Sequence, residues 1–541
     1  MGNFIEEFIE ADLKSGRTDH VLTRIPPEPN GYLHIGHAKS IYINYFMTEK
    51  KYGGKCNLRF DDTNPEKEDD EYVNAIIRDA KWLGWEGEIK YASDYFQKTY
   101  ECAVLLIKKG LAYVDDITPE EMTAKRGTLT TPGTESECRN RPVEENLELF
   151  EKMKSGVIGD GELCLRAKID MASPNINMRD PVIYKVLHAK HYRQGDKWCI
   201  YPLYDFAHPI QDAIEGVTHS LCSIEFENHR PLYEWVTDNL KEFFPFSPIQ
   251  REFARLNIER TIMSKRYLKK LVDEGLVDGW DDPRMPTLCG LRRRGYTPSS
   301  ILNFIEAAGV SKADSECAPE MLEASIRAEL NISAHRAQSV LNPIKLKIIN
   351  RDDNWSDVSY EEVLPGQEPP LKREVTISNE LFIEADDYSA DPPPKYKRLT
   401  EGAVIRLKNS YIVKCVGHEG EGKDTTVICE VLDGSNGVDV EGVKAKGVIH
   451  WVDARNCVDL EARIYDYLLL PFDGIHENFA DRMNPNSLKF FYGKGEKCLL
   501  DASKGTSLQF VRNGYFVRDI NSSGLVFNRI VGLKDSYKPK S

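Results

Sequence analysis

The chain has 541 residues, 41% of them hydrophobic, and carries 71 Lys and Arg against 86 Asp and Glu, a formal charge of −15. That length sets a prior of about three to five domains with several apolar cores, and the acidic balance excludes a uniformly basic nucleic-acid coat, because affinity for phosphate backbones comes from Lys and Arg. RNA binding would need basic residues gathered on one surface; Arg292, Arg293, Arg294 and the segment Lys395–Arg406 are candidates, and solvated basic turns are the plainer reading of both. Twelve Cys occur singly, with no C-x-x-C and no His/Cys cluster, which predicts reduced thiols in a cytoplasmic protein and no structural zinc. No apolar run approaches membrane length. The acidic, amphipathic start fits neither a signal nor a transit peptide, and Glu6 stands where a myristoylation signal needs Ser or Thr.

In chain order, residues 4–17 read as a short helix leading into a first strand that ends at Ile25. A Pro-Pro-Glu-Pro-Asn-Gly loop follows, which can be neither helix nor central strand, and then HIGHAKSIYINYFM at helical spacing. His34 and His37 share one face near the start of this helix, and Gly36 between them lets a ligand approach the backbone. A helix N-terminus suits a polyphosphate, and two imidazoles there can donate to phosphate oxygens. With 12 His and 37 Gly, a chance H-x-G-H is expected in roughly 0.02 chains of this kind; the competing reading is a pair of surface histidines capping a helix. Cys56–Phe60 reads as a second strand with Asp61 and Asp62 beyond its C-terminal end, where open parallel sheets bind ligands. A carboxylate there can hold an ammonium group, although the acids that follow also read as a solvated turn.

From about 96 to 204 the alternation loosens, which reads as an insertion into a nucleotide fold, with Arg126–Gly133 as a hairpin loop. Trp198–Ile210 returns to a buried strand pattern, with Tyr204 and His208 near its end, and HSLCSIEFENHR from His219 reads as strand plus turn. Arg255, Leu256 and the Ile262–Arg266 loop (IMSKR) close the fold, Lys265 reaching phosphates as a mobile point charge. Residues 268–335 are helical by pattern, with Gly309 stopping a helix before a loop that carries Lys312. Beyond Pro343 the chain becomes all-β, as barrels would, with a boundary near 336. Gly417–Asp424 nearly spells a phosphate-binding loop, but Asp424 replaces the hydroxyl, Glu419 and Glu421 repel phosphate, and strands flank it. It reads as a hairpin turn.

The HIGH stretch, with Met263-Ser264-Lys265-Arg266 far downstream, resembles the paired signatures of class I aminoacyl-tRNA synthetases. PPEPNGYLHIGHAKS and RFDDTNPEKED resemble the glutaminyl/glutamyl branch, and similarity to its bacterial glutaminyl type runs almost to the end, through GYFVRDI and FNRIVGLKD. The resemblance implies a multidomain fold. Its parts are a Rossmann-type α/β catalytic domain (about 1–95 and 205–255), an inserted acceptor-stem-binding domain (96–204), a helical subdomain with the MSK loop (256–335) and two C-terminal β-barrels that bind the anticodon. The proximal barrel takes in about 336–345 and 452–541, the distal one about 346–451. It also implies a cytoplasmic monomer whose partners are tRNA(Gln) and L-glutamine, with no DNA and no membrane, and ATP with Mg²⁺ carried by the nucleotide.

By the same resemblance, Glu28, Pro29, Asn30, His34, Ile35, Gly36, His37, Ala38, Lys39, Ser40, Ser223, Arg255, Leu256, Met263, Ser264 and Lys265 hold ATP, and His34, His37 and Lys265 are catalytic. Asp61 holds the glutamine ammonium, the Tyr204 hydroxyl accepts from the side-chain amide with Gln250 positioning it, and Cys222 stands where glutamyl relatives carry Arg. Leu129 corresponds to a wedge against the acceptor end, though it reads equally as packing for its own loop. Asn228 replaces an Asp that reads the acceptor stem in some relatives, a weaker and uncharged contact. Lys312, Arg336, Arg398 and Gln509 complete the implied tRNA contacts, and no residue is a metal ligand. The alternatives are an HxGH nucleotidyltransferase, which does not need roughly 200 residues of C-terminal β structure, a paralogue that binds without catalysis, and a glutamyl enzyme of the same branch.

Overall fold

The computed structural model describes residues 2–66, 68–244, 246–364, 366–472 and 479–534. The chain forms two compact units, Met1–Asn257 with Ile305–Glu316, and Ile258–Phe304 with Cys317–Ser541.

The first unit opens with the helix Phe4–Ser15. Asn3 caps it by accepting from the N–H groups of Ile5 and Glu6, the Glu6 carboxylate accepts from the Asn3 N–H in return, and Gly16 closes it in the left-handed conformation. Ile5 and Ile9 are its buried face. The strands Leu22–Ile25, Lys55–Phe60 and Ile89–Tyr91 pair in parallel in that order, with Ile25 opposite Leu58 and Phe60 opposite Tyr91. A second parallel pair, His219–Ser223 with Ile249–Phe253, is tied to the first strand through Thr218, whose N–H donates to the Leu22 carbonyl at 2.8 Å. The signature helix Ile35–Ile41 continues through a π-helical stretch, Tyr42–Met47, to Tyr52 and stops at Gly53.

Between these parts lies a four-stranded antiparallel sheet, Ala112–Asp115, Cys164–Ala167, Val182–Val186 and Ile200–Pro202 in that order. Helices Phe96–Lys108 and Val143–Lys154 pack on it through stacked Tyr100 and Phe150, ring centroids 5.0 Å apart. Two expectations need correction here. Arg126–Gly133 is not a loop between paired strands. It is a turn after the helix Pro119–Arg126, held because the Arg179 guanidinium donates to the carbonyls of Arg126, Thr128 and Thr131, each at 2.9 Å. Nor does the strand beginning near Trp198 reach Tyr204: Ile200–Pro202 is all of it, and Tyr204–Glu215 is a helix that keeps Pro209 inside it. An apolar run punctuated by Pro fits a short strand or a buried helix, and the tertiary contacts of Phe206 and Ile210 decide for the helix.

The second unit holds the helices Lys265–Asp273, Leu288–Arg294 and Pro319–Ser333 and two seven-stranded sheets. One sheet contains His335–Ala337, Cys457–Tyr465, Leu488–Glu496 and Ser507–Val531; the other contains Pro343–Ile348, Glu380–Glu384 and the hairpin from Val404 to Val431. Gly417–Asp424 forms the end of a hairpin, as read: Gly417–Glu419 finish the strand Ile412–Glu419, and the residues from Gly420 to Asp424 turn the chain into the antiparallel strand Thr426–Val431. Each basic candidate contains an arginine that is spent internally. Arg293 is buried, its guanidinium donating to Asp519 at 3.0 Å, and Arg406 pins a turn by donating to the carbonyls of Ser410, Ser435 and Val438. The twelve Cys are all free. Among the described residues no helix is long and apolar enough to cross a membrane.

Candidate active site

The Pro-rich loop is stitched to the chain beyond the second strand. Asp61 N–H donates to the Pro27 carbonyl at 3.0 Å and Asp69 N–H to the Pro29 carbonyl at 3.3 Å, which brings Glu28 beside Asp61. His34 caps the signature helix. Its Nδ1 accepts from the Gly36 N–H at 3.1 Å, while His37 Nδ1 accepts from the His34 N–H at 3.1 Å. This reciprocal cap is made by imidazoles instead of the usual hydroxyl and carboxylate. Because each Nδ1 accepts, each neutral ring carries its proton on Nε2. The ring centroids are 3.9 Å apart, so two Nε2–H donors are presented together. On the same helix Lys39 is buried and its Nζ donates to the Arg255 carbonyl at 3.5 Å. The Arg255 guanidinium pairs with Glu225 at 2.7 Å, and Ser223 donates to the other Glu225 oxygen at 3.1 Å. The structure thereby joins Ser223 and Arg255 through a carboxylate the sequence reading did not include. Leu256 is buried beside them. Met263, Ser264 and Lys265 belong to the second unit, where Ser264 is the cap residue and Lys265 the first residue of a helix.

Asp61 is half-buried, and Thr63 donates to it at 3.3 Å. Burial pushes its carboxyl up to about 6; Arg59 opposes the shift and Glu28 adds to it. Tyr204 starts its helix, stacks on His208 with centroids 4.8 Å apart and lies against Phe226 at 5.1 Å. Its charge neighbours are Arg24, Cys222, Asp61 and Asp212, so three of the four residues expected at the amino acid gather at one place. Gln250 does not position Tyr204 as expected. Its amide donates to the Phe226 carbonyl at 3.2 Å and to Glu252 at 3.0 Å, and strand pairing sets Gln250 opposite Ser220 and Glu252 opposite Cys222. Glu252 in turn takes a two-pronged contact from Arg230, at 3.0 and 2.6 Å.

Beneath Tyr204 and Cys222 lies a charge network absent from the sequence reading. Arg24, Arg59 and Asp212 have no exposed side-chain surface. Arg24 donates to Asp212 at 3.2 Å, to the Leu221 carbonyl at 2.8 Å and to Ser220 at 2.6 Å. Arg59 Nη1 lies 2.6 Å from the same Asp212 oxygen and 3.6 Å from Glu215, and Tyr233 donates to the other Asp212 oxygen at 2.9 Å. His208 sits between the guanidiniums, Nε2 2.5 Å from Arg24 and Nδ1 2.8 Å from Arg59. Burial and the two flanking cations hold its pKa well below the imidazole range, so it is neutral. Burial drives the Asp212 carboxyl up, but Arg24 and Arg59 outweigh it and keep the carboxyl well below the usual range. Two cations and two anions then cancel, and the floor under Tyr204 and Cys222 is neutral in sum.

Asp62 has different partners from Asp61. Its carboxylate accepts from the Ser93 N–H at 2.8 Å, from the Ser93 hydroxyl at 2.6 Å and from Tyr192 at 3.1 Å. His191 Nε2 donates to the Asp62 carbonyl at 2.9 Å, and its Nδ1 accepts from the Arg193 and Gln194 N–H groups. Glu68 lies 3.6 Å from the same His191 nitrogen, and burial pushes its carboxyl up to about 9. The backbone that carries Asp61 is thus clamped by Ser93 and by His191 and Tyr192. Among the residues expected at tRNA, Leu129 is 81% exposed, which removes the reading that it packs its own turn. The Asn228 carbonyl accepts from Asn175 at 2.7 Å, and Lys312 lies over the Phe4 ring at 5.3 Å. Arg336 and Gln509 are register partners, Arg336 donating to Gln509 at 3.0 Å and pairing with Glu362 at 2.8 Å. Arg398 pairs with Asp387, which also holds Arg512. Among the described residues one group could present metal ligands, Asp115, Asp116 and Cys138, and its Asp115 already accepts from Arg166 and Ser136.

Comparison with known proteins places this geometry. Residues 20–332 match the family model for the class I tRNA synthetase (E and Q) catalytic domain, and 334–432 and 448–519 match the two anticodon-binding domains of the same group. The chain is 54% identical to the glutamine–tRNA ligase of Clostridium perfringens over 99% of both chains. It is 52% identical to that of Clostridium kluyveri over 99% of this chain and 98% of the other, and 50% identical, with the same coverage, to that of Neisseria gonorrhoeae. With more than half of its length matched by one catalytic-domain model, the chain belongs to the class I tRNA synthetases of the glutamate and glutamine group.

Proposed function

We propose that the chain joins L-glutamine to the 3′ end of tRNA(Gln) in an ATP-dependent reaction through a glutaminyl-adenylate, releasing AMP and pyrophosphate. The observation that carries this reading is full-length identity of 50–54% to glutamine–tRNA ligases, combined with an uncharged Cys222 beside Tyr204. The glutamine carboxylate attacks the α-phosphorus of ATP, which enters as its magnesium complex, and the terminal adenosine of the tRNA then takes the aminoacyl group. No enzyme nucleophile is required; the protein positions the reactants and stabilises developing charge.

In this reading the Nε2–H groups of His34 and His37 donate to phosphate oxygens as charge builds, and Lys265 adds a mobile cation. Glu28, Pro29, Asn30, Ile35, Gly36, Ala38, Lys39, Ser40, Ser223, Arg255, Leu256, Met263 and Ser264 form the surrounding nucleotide site. Asp61, ionised above pH about 6, holds the substrate ammonium. Tyr204 accepts from the side-chain amide. Glutamate is excluded because its carboxylate would be buried over a floor whose charges already cancel. The two sheets of the second unit act as the anticodon-reading barrels through Arg336, Arg398 and Gln509, and Leu129, Asn228 and Lys312 meet the rest of the tRNA. The test is ATP-dependent charging of purified tRNA with glutamine. Wild-type chain should charge it, and His37→Ala and Lys265→Ala should each lower kcat about 10²–10³-fold with native circular dichroism. Unchanged kcat in both variants would remove these residues from the mechanism.

A further inference from the structure

The second unit contains a polar cavity of about 280 Å³ that the reaction above does not use. Six charged side chains line it, three arginines and three acids, but their pairing is uneven. Arg260 donates to Glu320 at 3.1 Å and lies over the Tyr467 ring at 3.9 Å. Glu323 accepts from the Tyr467 hydroxyl at 3.0 Å and faces the Arg327 guanidinium at 3.6 Å. Asp466 accepts from the Tyr467 N–H at 2.8 Å. The acids are therefore engaged. Arg294 and Arg529 are not: among the described residues neither makes a hydrogen bond or an ion pair with a protein group, and the Arg294 Nε is buried without an acceptor. Arg294 has some compensation, since it ends the helix Leu288–Arg294, where the terminal carbonyls favour a cation, and lies 5.7 Å from the Tyr465 ring centroid. Arg529, on the strand Val526–Val531, has neither a helix end nor a ring contact among the described residues. Burial holds its guanidinium below the ordinary range, and the like charge of Arg294 adds to that shift, which the more weakly acting carboxylates Glu323 and Asp466 oppose without cancelling.

Two arginines that share a cavity, repel one another and lack acceptors form an arrangement that an oxyanion relieves. A guanidinium presents parallel N–H donors matched to phosphate oxygens. A cavity of this size admits one or two phosphate groups and excludes a whole nucleotide chain. We propose that Arg294 and Arg529 form a binding site for a phosphate-class oxyanion, supplied by a phosphodiester of bound RNA or by free phosphate or pyrophosphate.

The experiment uses the full chain, wild type and the variants Arg529→Gln and Arg294→Gln, each checked by circular dichroism. In one arm, inorganic phosphate and pyrophosphate are titrated at constant ionic strength, following the thermal midpoint and binding heat. Wild type should show saturable binding, weakened about tenfold or more in each variant, as loss of a charge-assisted hydrogen bond implies. In the other arm, tRNA affinity is measured against salt. If the anion is an RNA phosphodiester, log K against log [salt] should be shallower by about 1 in the variants, equally for cognate and noncognate tRNA. Loss in the first arm alone assigns the site to a free anion, and a changed slope assigns it to RNA. Wild-type behaviour of both variants in both arms overturns the proposal, and because charging of glutamine is read separately, its failure is distinguishable from failure of the proposed reaction.

Discussion

Asp212→Asn keeps the shape of the side chain and removes one charge from the network beneath Tyr204. In the native chain Arg24 and Arg59 approach the same Asp212 oxygen at 3.2 and 2.6 Å, with all three side chains fully buried. At an effective dielectric of about 20, a charge pair near 4 Å is worth about 4 kcal/mol, so the two contacts together are worth roughly 8 kcal/mol before the carboxylate's own desolvation is subtracted. Removing one partner of a buried pair costs about 3–5 kcal/mol net, which is consistent with that bound. Asn retains an oxygen for the guanidiniums, but its amide nitrogen replaces the oxygen that accepts from Tyr233, so the loss combines the charge with that one hydrogen bond. Glu215, 3.6 Å from Arg59, is left as the single anion against two cations. By calorimetry the first unit should melt roughly 6–20 °C lower. The now positive floor should also raise charging with glutamate relative to glutamine. A variant whose midpoint and amino-acid ratio both match wild type would refute the role given to this network.

Asp61 carries a raised pKa, so its ionised, ammonium-binding form is lost on acidification. The KM for glutamine should rise about tenfold per pH unit below about 6 while the fold persists. Glu68 is raised to about 9 from an unfolded value near 4.3, so the folded state binds the extra proton and its contribution to stability falls as pH rises between those values. Glu68→Gln should therefore raise the thermal midpoint by a few degrees at pH 8 relative to its effect at pH 5; equal effects at both pH values would show that the carboxyl ionises freely. Arg398→Ala should cut discrimination between cognate tRNA and an anticodon variant by about tenfold, read as the ratio of kcat/KM. A point variant serves better here than truncation near 336, which would strip Asp519 from buried Arg293.

The signature loop was legible because strand, Pro-rich loop and helix leave unambiguous local marks, and the structure returns them at Leu22–Ile25 and Ile35–Ile41. The Gly417–Asp424 turn was legible for the same reason. Tyr204 was assigned to the end of a strand because its surroundings are apolar in either conformation and Pro209 suggests a break. Arg24 and Arg59 carry a signal of their own: each is a cation inside an otherwise largely apolar strand, which implies a buried partner. Local pattern cannot name that partner, because Asp212 lies 188 residues from Arg24. Arg293 shows the same gap, since its acceptor Asp519 is 226 residues away. Gln250 was placed in the right neighbourhood, but its hydrogen bonds follow from strand register, which fixes Glu252 opposite Cys222.

In the proposed reaction the pocket takes glutamine and rejects glutamate because, among the described residues, nothing beside Cys222 offers an uncompensated cation. The most direct measurement is charging of purified tRNA(Gln) with each amino acid, in wild type and in Cys222→Arg. A site built on such polar contacts rejects a mismatched analogue by roughly 10⁴–10⁵ in favourable cases. Wild type should therefore charge glutamine only, and Cys222→Arg should gain glutamate while losing glutamine. Efficient glutamate charging by wild type would contradict this selectivity and assign the chain to the glutamate side of the family.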